Sequence, residues 1–236
     1  MLVLAMTLPL IAGVLLLFIK PRSAAFRGWY VMLSALGTST LAAWVIFTPG
    51  DHAFTLLRLT EELTISFRLD GLGRIFAGLA MLLWPMVSLY ALEYMEHEGG
   101  ENHFFALYTI TYGGTLGIST AANIMTMYIF YEFLTVCTMP LVMHGTSRES
   151  IKAGNKYMVY SFFGAAIAFV GVMIIIAFGN GGAFVMNGVL SEAFAAKHPL
   201  LLRVGYLCAF LGFGVKAAVF PLHAWLPVAS VAPTPV

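Results

Sequence analysis

Seven stretches of roughly 20 predominantly apolar residues follow one another along the chain, at 1–19, 28–48, 72–92, 104–122, 124–143, 157–178 and 200–220. Coiled into helix at about 1.5 Å per residue, each is long enough to cross a hydrocarbon layer of about 30 Å. Charge is correspondingly scarce. Only 10% of residues are charged and 60% are hydrophobic, against roughly 25% charged in a globular domain, so the chain has too little polar side chain to clothe a water-facing surface. The pattern predicts an all-α, polytopic membrane helix bundle of about seven transmembrane helices, forming a single membrane domain over 1–236.

The first run lacks a basic segment ahead of it, and Lys20, Arg22 and Arg27 come after it. It therefore reads as a membrane helix and not a cleavable leader. Placing successive connections on alternate faces groups Lys20, Arg22, Arg27, Arg148, Lys152 and Lys156 against Arg58, Arg68, Arg74, Lys197 and Arg203. By the positive-inside rule the first group faces the cytoplasm and the N-terminus lies outside it. A multi-pass protein of the cell's inner (cytoplasmic) membrane is implied.

Two connections are more than turns. Residues 54–70 are rich in Thr, Ile and Phe with partial alternation, which predicts an extracytoplasmic hairpin. Residues 183–195 carry an apolar periodicity that predicts an amphipathic helix on the membrane surface. Asp70 and Arg74 are i,i+4 neighbours at the mouth of the third span, within reach of pairing, and a topology anchor is the preferred reading. Gly113 and Gly117 form a GxxxG, and Gly164 and Ala168 its small-xxx-small equivalent, both marks of closely packed helices.

Several functions are excluded by what is missing. Twelve Lys and Arg against 11 Asp and Glu leave no basic surplus for nucleic acid. Cys137 and Cys208 stand alone in apolar runs and form neither a disulfide framework nor a metal motif. HExxH, GxSxG and GxxxxGK[ST] are absent, and the Gly71-Leu72-Gly73 pair is too short for a dinucleotide loop. All six histidines fall in loops or at span ends, so haem ligation is not expected. No cofactor is assigned to this chain, nor any redox chemistry of its own.

Inside the spans two charges stand out: Glu132 near the middle of the fifth and Lys216 in the last third of the seventh. A charge near a helix centre costs about 2.5–3.5 kcal/mol to insert. An acid and a base on separate helices reduce that cost by pairing, and a polar contact that merely holds two helices is one reading. The other is a proton relay, for which lysine suits and arginine does not, because arginine never gives up its proton in proteins. Lys216 follows Gly212 and Gly214 and precedes Pro221 by five residues, so the seventh helix is expected to break near Pro221. Broken helices beside charge are typical of transporters. His223, just past the break, is either a relay member or an interfacial histidine, and Lys156, opening the sixth span, either a relay step or a snorkelling anchor. His144 and Lys152 are expected to be solvated, and Pro140 to disturb the end of the Glu132 helix.

The stretches ANIMTMYIFYEFLTVCTMPLV, KYMVYSFFGAAIAFVGV and GFGVKAAVFPLHAWLPVASVAPTPV, with RLDGLGRIFAGL and SLYALEYM before them, resemble the antiporter-like membrane subunits shared by respiratory complex I (NADH-quinone oxidoreductase), Mrp-type cation/proton antiporters and membrane-bound hydrogenases. The resemblance runs from about residue 60. It implies that Glu132 and Lys216 are the pair that gates proton translocation, with Lys156 and His223 as further members of a polar axis. It implies as partners the lipid bilayer, other membrane subunits, which carry any cofactors, and H⁺ or Na⁺ as the ion. The family core is two inverted repeats of five helices, so on this reading the first repeat is incomplete at Val236. Val228 stands where the family usually has an acidic residue. A truncated or split structural subunit that does not conduct is the alternative expectation.

Overall fold

Side chains close the first turns of four helices. Ser23 accepts from the amide of Phe26 (3.4 Å), Asp70 from Gly73 (2.7 Å), Asn123 from Thr126 (2.7 Å) and Ser147 from Ser150 (3.0 Å). These caps set the starts of four helices. The computed structural model describes residues 1–232 except 51, 61, 62, 146, 180, 181, 187, 191 and 231. Its elements are α1 (Leu2–Ile19), α2 (Ala24–Phe47), β1 (Ala53–Arg58), β2 (Thr64–Arg68), α3 (Gly71–Met95), α4 (Glu101–Ser119), α5 (Ile124–Val142), α6 (Arg148–Phe178), α7 (Glu192–Lys197), α8 (Pro199–Gly214) and α9 (Leu226–Ala229).

Five of these, α1, α2, α3, α5 and α6, are long and apolar enough to cross a membrane. Their outer faces are clad in exposed Leu, Ile, Phe and Met, as on α3 at Leu72, Ile75, Phe76, Leu79 and Leu82. The expected fourth and seventh spans are helices α4 and α8, which differ from the rest for separate reasons. Helix α4 is packed between α1, α3 and α5, and its Thr109, Thr111, Gly113, Gly114 and Gly117 are buried. Shielded by other helices, it has less need of an apolar surface all round. Helix α8 is short because it ends well before Phe220.

The hairpin forms as expected. Strands β1 and β2 pair antiparallel, Phe54 opposite Phe67, with a register shift between Thr55 and Leu57. It caps the α4–α5 junction: Arg68 N–H donates to Thr120 O (2.7 Å), Ala122 N–H to Ser66 O (2.9 Å), and the Asn123 amide to Thr64 O (2.8 Å).

One open pairing is not made and one local expectation is corrected. Asp70 and Arg74 form no ion pair, because the Asp70 carboxylate caps α3 instead. The amphipathic helix over 183–195 does not form as such; Asn187 and Ser191 lie outside the described residues. Of the rest, 183–190 is irregular and only Glu192–Lys197 is helical. Its backbone is bonded elsewhere: Phe184 N–H donates to Ala122 O (3.0 Å), Phe184 O accepts from Arg68 Nη2 (2.7 Å), and Gly182 and Gly188 adopt left-handed φ of 46° and 80°. Sequence periodicity cannot register those distant partners.

The small-residue pattern of α6 finds its complement in α8. A Cβ added to Gly164 would fall 2.6 Å from Val215, and one on Gly171 2.7 Å from the Ala209 amide. Ala168 is 0% exposed, facing Gly212. This seam brings the end of α8 against the middle of the bundle. Gly113 and Gly117, by contrast, serve two partners: Gly113 lies on Leu10 and Met6 of α1, Gly117 on Phe130 of α5.

Candidate functional site

The end of α8 is closed by a built motif. Beyond Gly214 the chain makes one tightened turn, with Lys216 N–H donating to Phe213 O (3.2 Å). Ala218 then takes a left-handed φ of 51°. Its N–H donates to Val215 O (3.0 Å), and Val219 N–H donates to Gly214 O (3.0 Å). That double bond pattern is a Schellman closure, with alanine in the place glycine usually takes. Side chains occupy carbonyls at this end: Trp225 Nε1–H donates to Val215 O (2.8 Å) and Tyr131 Oη–H to Gly212 O (3.3 Å). The break expected near Pro221 therefore includes that proline, which follows a cis peptide bond, but opens at Gly214.

Lys216 thus lies in the tightened turn that closes the C-terminal end of α8, where the backbone dipole favours a cation. Its ammonium donates to Tyr157 Oη. Nζ also stands 5.8 Å from the centre of the Tyr131 ring, an attractive distance for a cation. Tyr157 is buried, held edge-on by Trp225 at 5.2 Å, while Phe213 meets Tyr131 edge-on at the same distance. Tyr157 Oη lies 2.6 Å from Thr138 Oγ1, which lies 2.7 Å from Leu134 O.

Hydrogen bookkeeping gives this chain a direction. An ammonium only donates, and a carbonyl only accepts. With Lys216 charged, both hydroxyls donate and accept if Lys216 donates to Tyr157, Tyr157 to Thr138 and Thr138 to Leu134 O. With Lys216 neutral, its lone pair can accept from Tyr157, whose oxygen then accepts from Thr138. The Tyr157 hydroxyl is a rotor that serves both charge states of the lysine. The chain ends on a peptide carbonyl, so this branch orients the amine and does not carry a proton onward.

The expected axis is only partly assembled. Glu132 is half-buried on α5 beside Tyr131, and its Oε1 is buried without a hydrogen-bond partner. It forms no ion pair with Lys216 among the described residues, whose one ion pair is Arg27–Glu101. Of the direct or one-water approach expected of Glu132 and Lys216, the direct contact is not made; the ammonium sits on Tyr157. Lys156, one residue before Tyr157, is half-buried, and its side chain makes no hydrogen bond or ion pair among the described residues. His223 is exposed, its ring on Phe220 at 5.6 Å, away from Lys216's partners. His144, expected in solvent, is bonded to Gly99 O (2.8 Å).

Sequence reasoning missed Tyr157, Thr138, Tyr131 and Trp225. The available signal was weak: tyrosine and threonine inside spans, Tyr131 adjoining Glu132. The partners Lys216 and Tyr157 are 59 positions apart, and no periodicity couples them.

Comparisons with known proteins follow the same segments. Residues 121–236 match the family described as NADH:quinone oxidoreductase/Mrp antiporter, TM, and residues 60–105 match NADH-Ubiquinone oxidoreductase (complex I), chain 5 N-terminus. The chain is 30% identical over 215 residues, 89% of its length, to a probable K(+)/H(+) antiporter subunit of Rhizobium meliloti (strain 1021), of which it covers 21%. Its fold is similar to a chain in the structure of the Mrp complex from Dietzia sp. DQ12-45-1b, with TM-score 0.82 and 20% identity, covering 99% of this chain and 25% of that one. It is similar also to a chain of respiratory complex I from Thermus thermophilus, with TM-score 0.74 and 27% identity, covering 97% of this chain and 46% of the other. The chain spans less than half the length of the curated relatives it matches.

Proposed function

Because the chain belongs to the family of antiporter-like membrane subunits found in NADH:quinone oxidoreductases and Mrp antiporters, we propose that it moves protons within a multisubunit assembly of the cytoplasmic membrane, with Lys216 as the group that takes up and releases the proton. The observation that carries this reading is the seat of Lys216: an amine at a broken helix end, on a hydroxyl that can either accept from it or donate to it. The helix end and the Tyr157 hydroxyl give the amine a polar seat inside an apolar bundle. In this reading the amine passes its proton on when the charge of a neighbouring group changes. Glu132, with a buried oxygen free to bond, is that neighbour, acting through water or a small side-chain movement and not by a standing contact. Protons suit the site better than Na⁺, because an amine and a hydroxyl form a donor and its acceptor, not a cage of oxygens. Lys156 and His223 are assigned as entry and exit groups on either side.

A structural reading has one observation in its favour: the Lys216–Tyr157 bond ties α8 to α6, and any cation of that reach could make it. Tyr157→Phe separates the two in part. The ring and its packing remain, and only the hydroxyl is lost. Loss of one hydrogen bond to a charged group, about 1.5 kcal/mol or more, predicts a drop of roughly tenfold in proton translocation by vesicles holding the complex, with normal assembly. Undiminished translocation would remove Tyr157 from the account.

A further inference from the structure

A cleft of about 590 Å³ lies at the end of the bundle where α1 finishes and α2 and α4 begin. Its walls are Leu16, Leu17, Lys20, Pro21, Arg22 and Arg27 on one side and residues 100–103 on the other. Two bonds brace it. The Arg27 guanidinium pairs with Glu101 and reaches Asn102 Oδ1 (3.4 Å), while Asn102 Nδ2–H donates to Pro21 O (3.0 Å).

The cleft carries more positive charge than these bonds consume. Lys20, Arg22 and Arg27 face one carboxylate, Glu101, with Glu96 acting on Arg27 from beyond the wall. The side chains of Lys20 and Arg22 form no ion pair or hydrogen bond among the described residues. Arg27 is only 6% exposed, and its Nε is buried without a partner. Helix α4 adds the positive end of its dipole, since Gly100 starts it without a capping side chain. Immediately outside, Phe18, Phe26 and Trp29 are exposed, continuing into the apolar outer faces of α1 and α2. Aromatic rings at such a level mark the boundary between headgroups and hydrocarbon.

We propose that this cleft binds the phosphate of an anionic phospholipid, whose acyl chains lie along the exposed faces of α1 and α2. The shared chemistry is a phosphate, which a lipid or a free anion could bring; the apolar wall directly below the cations commits the site to the lipid. Arg27 is the braced floor, and Lys20 and Arg22 are the free cations that meet the headgroup.

The test uses the assembled complex, extracted in mild detergent and titrated with phosphatidylglycerol or phosphatidylcholine while native mass spectrometry counts bound lipid. The double variant Lys20→Gln, Arg22→Gln leaves the Arg27–Glu101 brace intact. Each basic residue near an anionic surface is worth about fivefold in affinity, so the double variant should bind the last phosphatidylglycerol roughly 25-fold more weakly. Phosphatidylcholine retention should not change. A thermal-shift series gives a second readout, phosphatidylglycerol raising the melting temperature of the parent and not of the variant. Equal retention of phosphatidylglycerol by parent and variant overturns the proposal. So does displacement of the lipid by millimolar inorganic phosphate, which marks a free-anion site. Cross-linking from position 22 to a neighbouring subunit, undiminished by added lipid, overturns it in favour of a protein contact.

Discussion

Lys216→Ala is expected to lower proton translocation by the assembled complex about 100-fold or more, the lower end of what a positioned proton-transfer group contributes. The variant should still assemble. The amine is not what joins α8 to α6: that is the seam of Gly164, Ala168 and Gly171 against Gly205, Ala209 and Gly212. Trp225 on Val215 O and Tyr131 on Gly212 O would also continue to bind the helix end. The check is proton uptake by vesicles driven with the complex's own substrate, beside a native gel for assembly. Because Glu132 acts only through Lys216, adding Glu132→Gln to Lys216→Ala should reduce translocation no further.

A second large effect is expected at Gly212. A Cβ there would fall 2.5 Å from Ala168 Cα, backbone against backbone, and neither side can rotate away. Gly212→Leu therefore has to separate α8 from α6, taking Lys216 off Tyr157. Overpacking typically costs about 1–3 kcal/mol where side chains can adjust; with helix backbone in the way, a loss at or beyond the upper end is expected. The readout is a lowered melting temperature in detergent and little assembled complex. Gly78→Leu is the control, because nothing lies within 4 Å of a Cβ at that position. Equal behaviour of the two variants would mean that the seam does not position the site.

Legibility followed the range of the interactions involved. The apolar runs and the hairpin depend on local composition and were readable, as were the two charges set within apolar runs. The seventh apolar run extends to Phe220, while the helix closes earlier, with Ala218 in a conformation that sequence rules assign to glycine. Half of the α6–α8 seam was visible in Gly164 and Ala168, but which helix they face was not. The Arg27–Glu101 pair, 74 positions apart, and the Lys216–Tyr157 bond depend on packing order, which one sequence does not encode in any periodicity. Two lone opposite charges suggest a pair in direct or one-water reach. The tyrosine hydroxyl and ring face offered Lys216 a seat without Glu132, an option that counting charges overlooks.

The measurement that bears most directly on the relay is proton translocation by Lys216→Arg in vesicles, driven by the complex's own substrate and normalised to assembled complex. A guanidinium keeps the charge, the favourable helix end and the ring contact, but with a pKa above about 12 it does not release its proton. The relay account predicts normal assembly with translocation reduced nearly as far as in Lys216→Ala. Near-normal translocation would contradict it, leaving Lys216 as a structural tie between α8 and α6.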